Sequence, residues 1–342
     1  MIARQSLLAV LALLAGALAT PAAAGMPVHT FSIVARDSVT GDMGVAVQSH
    51  YFAVGPVVPW AEPGVGAVAT QSLVEIAYGP KGLALMKAGK SAPDALAELV
   101  AADSGRGGRQ VAMVDTRGGV AAYSGPKCIA DAGDEVGEQF SAQANLMANA
   151  KVWPAMAKAY RAAKGDLAER MLQALEAAQA AGGDIRGQQS AAIVIVKGVA
   201  SDRPWADRIM DLRVDDSPKP IAELRRLVTA WRAYRWVDRG DSAVTANDLV
   251  TAQKAYAEGA RLAPDNMEIV FWEAVGLFSV GQEDAAMPLF KTVFQREPRW
   301  RELVPRLAGP VGLLPNDQTK LDRILRAAPT SNSGVNLKDR YK

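Results

Sequence analysis

Two runs rich in β-branched and small apolar residues, 30–37 and 42–50, flank the turn Ser38-Val-Thr-Gly41 and predict a β-hairpin, with Gly41 able to take the positive φ such turns need. A Pro- and Gly-rich stretch over 55–64 reads as a loop, and a third strand is expected over 65–72. The apolar spacing then becomes helical over 79–88 and 93–102, with Ser91 as N-cap and Pro93 in the first turn of the second helix. A second hairpin is predicted from 110–115 and 120–123, followed by a short strand over 140–146. Helices over 152–163 and 167–181 come next, the latter stopping at Gly182-Gly183, and strands over 189–197 and 209–214 close the series. Strands and helix pairs alternate, and every sheet and helix pair needs an apolar partner. The fold class this predicts is α+β, a four-layer αββα sandwich with helices outside and two sheets inside.

From Asp216-Ser-Pro-Lys-Pro220 onward the pattern is helical and repetitive. Ala252, Tyr256 and Pro264 recur as Ala286, Phe290 and Pro298, each thirty-four residues on, which is the tetratricopeptide period. Trp272, Ala274, Phe278 and Gly281 fill first-helix positions of the better repeat. One repeat and a degenerate partner predict a small all-α tetratricopeptide-like domain, capped by 221–237 and 300–307. The expected organisation is a signal peptide at 1–24, a mixed domain at 25–217, a helical domain at 218–330 and a disordered tail at 331–342.

Composition narrows the function. Arg4, the apolar run 7–19 and Ala22-Ala23-Ala24 form a secretory signal pattern, so a periplasmic or secreted protein is expected, with no membrane span once the signal is removed. A single cysteine, Cys128, excludes an intramolecular disulfide. Formal charge near balance gives no basic field for nucleic acid. With His29 and His50 as the only histidines and no cysteine cluster, neither a metal site nor a cofactor is expected.

The sharpest local expectation comes from hairpin arithmetic. With the turn centred between Val39 and Thr40, Phe31 faces Gln48, Thr30 faces Ser49 and His29 faces His50, so the open end gathers hydroxyl, amide and imidazole groups. A threonine opening a strand matters because a hydroxyl whose own α-nitrogen is a free amine carries its general base with it. An ordinary solvated strand end has the same composition.

Seven motifs in order, His29-Thr-Phe-Ser-Ile-Val-Ala-Arg-Asp37, Gly44-Val-Ala-Val-Gln-Ser-His-Tyr-Phe-Ala-Val-Gly55, Gly66-Ala-Val-Ala-Thr-Gln71, Tyr78-Gly-Pro-Lys-Gly82, Gln143-Ala-Asn-Leu-Met147, Arg186-Gly-Gln-Gln-Ser190 and Asp211-Leu-Arg-Val-Asp215, resemble the domain-of-unknown-function 1028 family over about 28–227. The resemblance implies the fold of N-terminal-nucleophile hydrolases and hydrolysis of a small amide or peptide-like bond by Thr30, its α-amine acting as base. Signal cleavage after Ala24 leaves Gly25 at the terminus, so a second cut must expose Thr30, or the chain works without the amine. Ser49 and His50 complete the expected catalytic group, His50 as substitute base, with Gln71 and Asn145 as oxyanion donors. Gln48, Arg186, Gln189 and Ser190 are the expected substrate-binding residues, Arg186 forking a substrate carboxylate, or else standing as a solvated turn arginine or as a partner for Asp211 or Asp215. A homodimer is expected. The competing class is a non-catalytic cell-envelope binding or scaffold protein whose helical domain recruits a cell-wall or protein partner, by analogy peptidoglycan.

Overall fold

The computed structural model describes residues 27–310 and 312–328. The signal segment 1–24, its cleavage point at Gly25 and the tail 331–342 lie outside the described residues. The chain divides into two compact units, Met1–Arg225 and Arg226–Lys342. That division falls inside the helix α5 (Pro220–Thr245), which is also longer than the 221–237 the sequence suggests.

The first unit is mixed α/β with two antiparallel sheets. One contains β1 (Pro27–Val28), β4 (Pro59–Glu62), β5 (Gly66–Leu73), β6 (Arg109–Asp115) and β7 (Val120–Ser124), in the order β1-β5-β6-β7 with β4 also on β5. The other contains β2 (Thr30–Arg36), β3 (Met43–Ser49), β8 (Gly133–Gly137), β9 (Phe140–Ala144), β10 (Ser190–Val196) and β11 (Arg208–Val214), in the order β11-β10-β3-β2-β9-β8. The β2–β3 register is the one the turn arithmetic gives, with Phe31 opposite Gln48 and Thr30 opposite Ser49. Asp37 fixes it by accepting the Val39 and Thr40 amides on Oδ1, and Gly41 takes φ +79°.

Alternation decides what each face carries. Val34, Val45 and Val47 of the second sheet share one buried cluster with Ala67, Ala69, Ala112 and Val114 of the first. On the other side of the first sheet, Val68, Val111 and Met113 pack with Tyr78, Leu83, Met86 and Leu96 of α1 (Tyr78–Lys87) and α2 (Ala92–Ala102). The helices α3 (Val152–Ala162) and α4 (Leu167–Ala180) pack on the second sheet, where Phe140 meets the Tyr160 ring at 4.7 Å. Each such large side chain, fully buried, contributes about 1.5–3 kcal/mol. Ser91 caps α2 as expected, accepting the Asp94 amide. Three strands escape the sequence reading: β1, β8, and β4, which lies within the Pro- and Gly-rich stretch.

The second unit is helical. Its core gathers Phe271, Phe278, Phe290 and Phe294 from α7 (Met267–Ser279) and α8 (Glu283–Arg296), with Ala252 and Tyr256 from α6 (Leu249–Leu262). Phe290 meets Phe271 edge-on at 5.8 Å and stacks on Phe294 at 5.8 Å, geometries worth about 0.5–1.5 kcal/mol beyond area burial. Among the described residues, no helix is long and apolar enough to cross a membrane.

Candidate functional site

At one end of the paired sheets the intersheet apolar pattern gives way to polar residues. Ser32, Gln71, Gln110 and Gln143 continue the face that Val34 and Val45 occupy further along, and all four are fully buried. A buried amide left unpaired costs stability. Gln110 is the hub. Its Nε2 donates to Ser124 Oγ (2.8 Å), Ala144 O (2.9 Å) and Gly133 O (3.2 Å), which leaves Oε1 to accept from Gln71 Nε2 (2.8 Å) and Asn145 Nδ2 (2.9 Å). Gln71 in turn accepts from Ser32 Oγ at 2.7 Å and donates to Thr30 O at 3.1 Å.

Thr30 sits above this network, fully buried. Its carbonyl also accepts from the Asn145 amide nitrogen at 3.1 Å, so the backbone at this point is clamped from both sheets. Its Oγ1 donates to Ser49 Oγ at 3.0 Å, and Ser49 Oγ donates to the His29 carbonyl at 2.5 Å. The same His29 oxygen accepts from Arg186 Nη2 at 2.9 Å. The carbonyl ahead of Thr30 therefore faces a hydroxyl and a guanidinium, one neutral and one charged donor.

Arg186 is held in place by a partner absent from the sequence reading. Asp184, its side chain wholly buried, takes Nε at 3.0 Å and Nη2 at 2.7 Å in a two-pronged pair, and also accepts the His50 backbone amide at 3.2 Å. The expected partners Asp211 and Asp215 are not the ones used; Asp211 pairs with Arg208 and Arg213. The Asp-x-Arg spacing was the available signal.

His29 is 5 % exposed, with Nδ1 3.0 Å from Asn145 Oδ1. Because Asn145 Nδ2 is fixed toward Gln110 Oε1, Oδ1 is the acceptor and Nδ1 carries the proton. Burial pulls the imidazole pKa below its ordinary value; the Asn145 bond opposes this, Arg186 adds to it and Asp184 opposes it.

Other expected site residues take different places. Gln71 and Asn145 are bound to protein acceptors and position Thr30, so the donors at the neighbouring carbonyl are Ser49 and Arg186. Gln48 does not join the cluster. Alternation turns it to the same face as its partner Phe31, where it is fully buried with both amide atoms lacking hydrogen bonds. His50 Nδ1 is buried and makes no hydrogen bond, so that nitrogen gives it no link to Thr30 as a base. Ser190 Oγ donates to Tyr51 O at 2.5 Å and accepts the Val54 amide, pinning the turn after β3, while Gln189 Nε2 reaches Asp216 at 3.3 Å. A cavity of about 570 Å³ bordered by Glu62, Lys87, Asp115 and Arg117 lies at the opposite end of the strands.

Three further residues before Thr30 complete the picture. Pro27 and Val28 run antiparallel along Leu73 and Ser72 of β5, so the chain crosses from one sheet to the other at His29, directly above the polar cluster.

The model of a family of unknown function, DUF1028, matches residues 30–224. The crystal structure of protein SPO2555 from Silicibacter pomeroyi, itself assigned to that family, is 30 % identical with a TM-score of 0.53, and the match covers 58 % of this chain and 88 % of that one. A comparison with curated proteins finds no match.

Proposed function

The chain belongs to the DUF1028 family of unknown function, and from that premise we propose that it is an amide-bond hydrolase of the N-terminal-nucleophile type, with Thr30 as nucleophile. The observation that carries this reading is the hydroxyl chain from Thr30 Oγ1 through Ser49 Oγ to the His29 carbonyl, with Arg186 on the same oxygen. Two sheets sharing a core, each packed with a helix pair, agree with the αββα layering of such hydrolases.

The first reaction is on the chain itself. Thr30 Oγ1 attacks the His29 carbonyl carbon; its proton passes to Ser49 Oγ while the Ser49 proton moves to the carbonyl oxygen, and Arg186 supports the charge that develops there. Collapse breaks the bond to the Thr30 nitrogen, which takes up a proton as the hydroxyl oxygen gives one up, leaving an ester on Oγ1. Water hydrolyses that ester, releasing His29 as a carboxylate and Thr30 with a free hydroxyl and amine.

The freed α-amine, titrating near ~7.7–8.0 in its reference state, then serves as base for an external amide. It takes the Oγ1 proton as the oxygen attacks, returns it to the leaving amine, and water clears the acyl-enzyme. Ser49 and Arg186, already oriented, stabilise the substrate's oxyanion.

The helical unit is proposed as tetratricopeptide-like: Ala252 with Tyr256 and Ala286 with Phe290 are buried at matching places on α6 and α8. An envelope partner is its proposed ligand, supported by a cavity of about 320 Å³ bordered by Tyr256, Trp272, Leu249 and Leu313. Export of the chain, from the leader-like pattern at its start, fits this role. The hydrolase reading is tested by an acylating probe: a chain beginning at Thr30 should take up one equivalent, and no uptake overturns the reading.

A further inference from the structure

Residues 27–29 make the contacts expected of a bound peptide. Pro27 and Val28 add a short antiparallel strand to β5 opposite Leu73 and Ser72. His29 follows with its carbonyl held by Ser49 at 2.5 Å and Arg186 at 2.9 Å, and its side chain, almost wholly enclosed, donates from Nδ1 to Asn145 Oδ1 at 3.0 Å. Strand addition of this kind uses main-chain bonds for affinity and enclosed side-chain positions for selection.

The selection here is fixed by a chain of amide orientations. Gln110 Nε2 must face the carbonyls of Gly133 and Ala144, so its Oε1 faces Asn145 Nδ2, and Asn145 is left presenting an acceptor to position 29. A side chain there needs a hydrogen-bond donor. An aliphatic residue leaves Oδ1 buried and unpaired, and a carboxylate sets acceptor against acceptor.

We propose that residues 27–29 occupy the acyl-side half of the substrate cleft, and that the external substrate is a peptide. It runs extended and antiparallel to Ser72–Leu73, with a hydrogen-bond-donating side chain, such as His, Gln or Asn, on the residue that supplies the scissile carbonyl. This inference rests on the hydrolase reading for turnover but not for binding, and the two separate by experiment.

A Thr30→Ala chain that starts at position 30, released from a removable fusion and checked for folding by circular dichroism, is titrated calorimetrically with Met-Pro-Val-His, Met-Pro-Val-Leu and Met-Pro-Val-Glu. The His peptide should bind about ten-fold or more tightly than either of the others. Equal binding of all three, or binding of none, overturns the cleft. The same peptides extended by an amide are then offered to the chain that keeps Thr30. Selective binding without turnover removes the hydrolase reading and leaves the cleft; turnover without selection does the reverse. Should the shortened chain fail to fold, His29→Gln and His29→Leu are compared in the full chain carrying Thr30→Ala, which cannot cut itself: the first should keep the melting temperature of the chain with His29 and the second lower it by several degrees, and equal melting overturns the selection by Asn145.

Discussion

Gln110 and Gln48 are both fully buried glutamines on adjacent sheets, yet replacing each by Met should move stability in opposite directions. Met matches the length of Gln and removes only the amide. At position 110 that removal strips three donated and two accepted hydrogen bonds. Some partners keep a second contact, since Gln71 still reaches Thr30 O and Ser124 still reaches Asp134. The Gly133 and Ala144 carbonyls lose a buried donor, and Asn145 Nδ2 retains only a 3.5 Å contact with Thr30 O. At about 1–3 kcal/mol for each buried group left unsatisfied, with relaxation absorbing part, the loss comes to about 2–4 kcal/mol. At position 48 neither amide atom has a partner, so Met removes a desolvation cost and should stabilise by about 1–2 kcal/mol. Scanning calorimetry measures both. The first unit should melt about 5–15 °C lower for Gln110→Met and a few degrees higher for Gln48→Met. Shifts of the same sign would refute the account of which buried amides are satisfied.

Ser49→Ala, which removes the middle of the hydroxyl chain, should slow cleavage ahead of Thr30 by about 100-fold or more, followed by mass spectrometry over time; an unchanged rate would exclude the relay. Asp184→Ala leaves Arg186 beside an empty buried position and should destabilise by about 3 kcal/mol in urea titration, whereas a loss below about 0.5 kcal/mol would show the pair is not structural. His29 has its folded pKa depressed, so the unfolded chain binds the proton more tightly. Its contribution is therefore complete above the unfolded pKa of about 6.5 and falls as pH drops toward the folded value, at up to about 1.4 kcal/mol per pH unit inside that window. In the uncut Thr30→Ala chain, stability against pH with His29 and with His29→Gln should diverge only there, and parallel curves would contradict the assignment.

Alternation and turn chemistry carried the sequence a long way. The hairpin register, the capped helix α2 and the paired positions Ala252/Ala286 and Tyr256/Phe290 all follow from local spacing, because each is set by residues close along the chain. The site was legible only in part. Thr30 and Ser49 meet because one turn places them opposite each other, but the same period-two rule sends Gln48 to the far face, which grouping by proximity ignored. Gln110 as hub depends on residues from β5, β6, β7, β8 and β9 meeting at one end of the sheets, which no spacing in the sequence encodes, whereas Asp184 stands only two residues before its partner Arg186 and that short spacing was its one local signal. The short strands β1, β4 and β8 were hidden by proline, glycine and brevity; they exist because a neighbouring strand offers them an edge, β5 for β1 and β4 and β9 for β8.

The central claim is that the Thr30 hydroxyl attacks the carbonyl of His29. Intact-mass measurement of the purified chain, incubated at neutral pH beside Thr30→Ala, tests it most directly. Attack by Thr30 should give a product beginning at Thr30 that accumulates at a rate independent of protein concentration, and none from the variant. An uncut wild-type chain, or the same cut in both proteins, would contradict it.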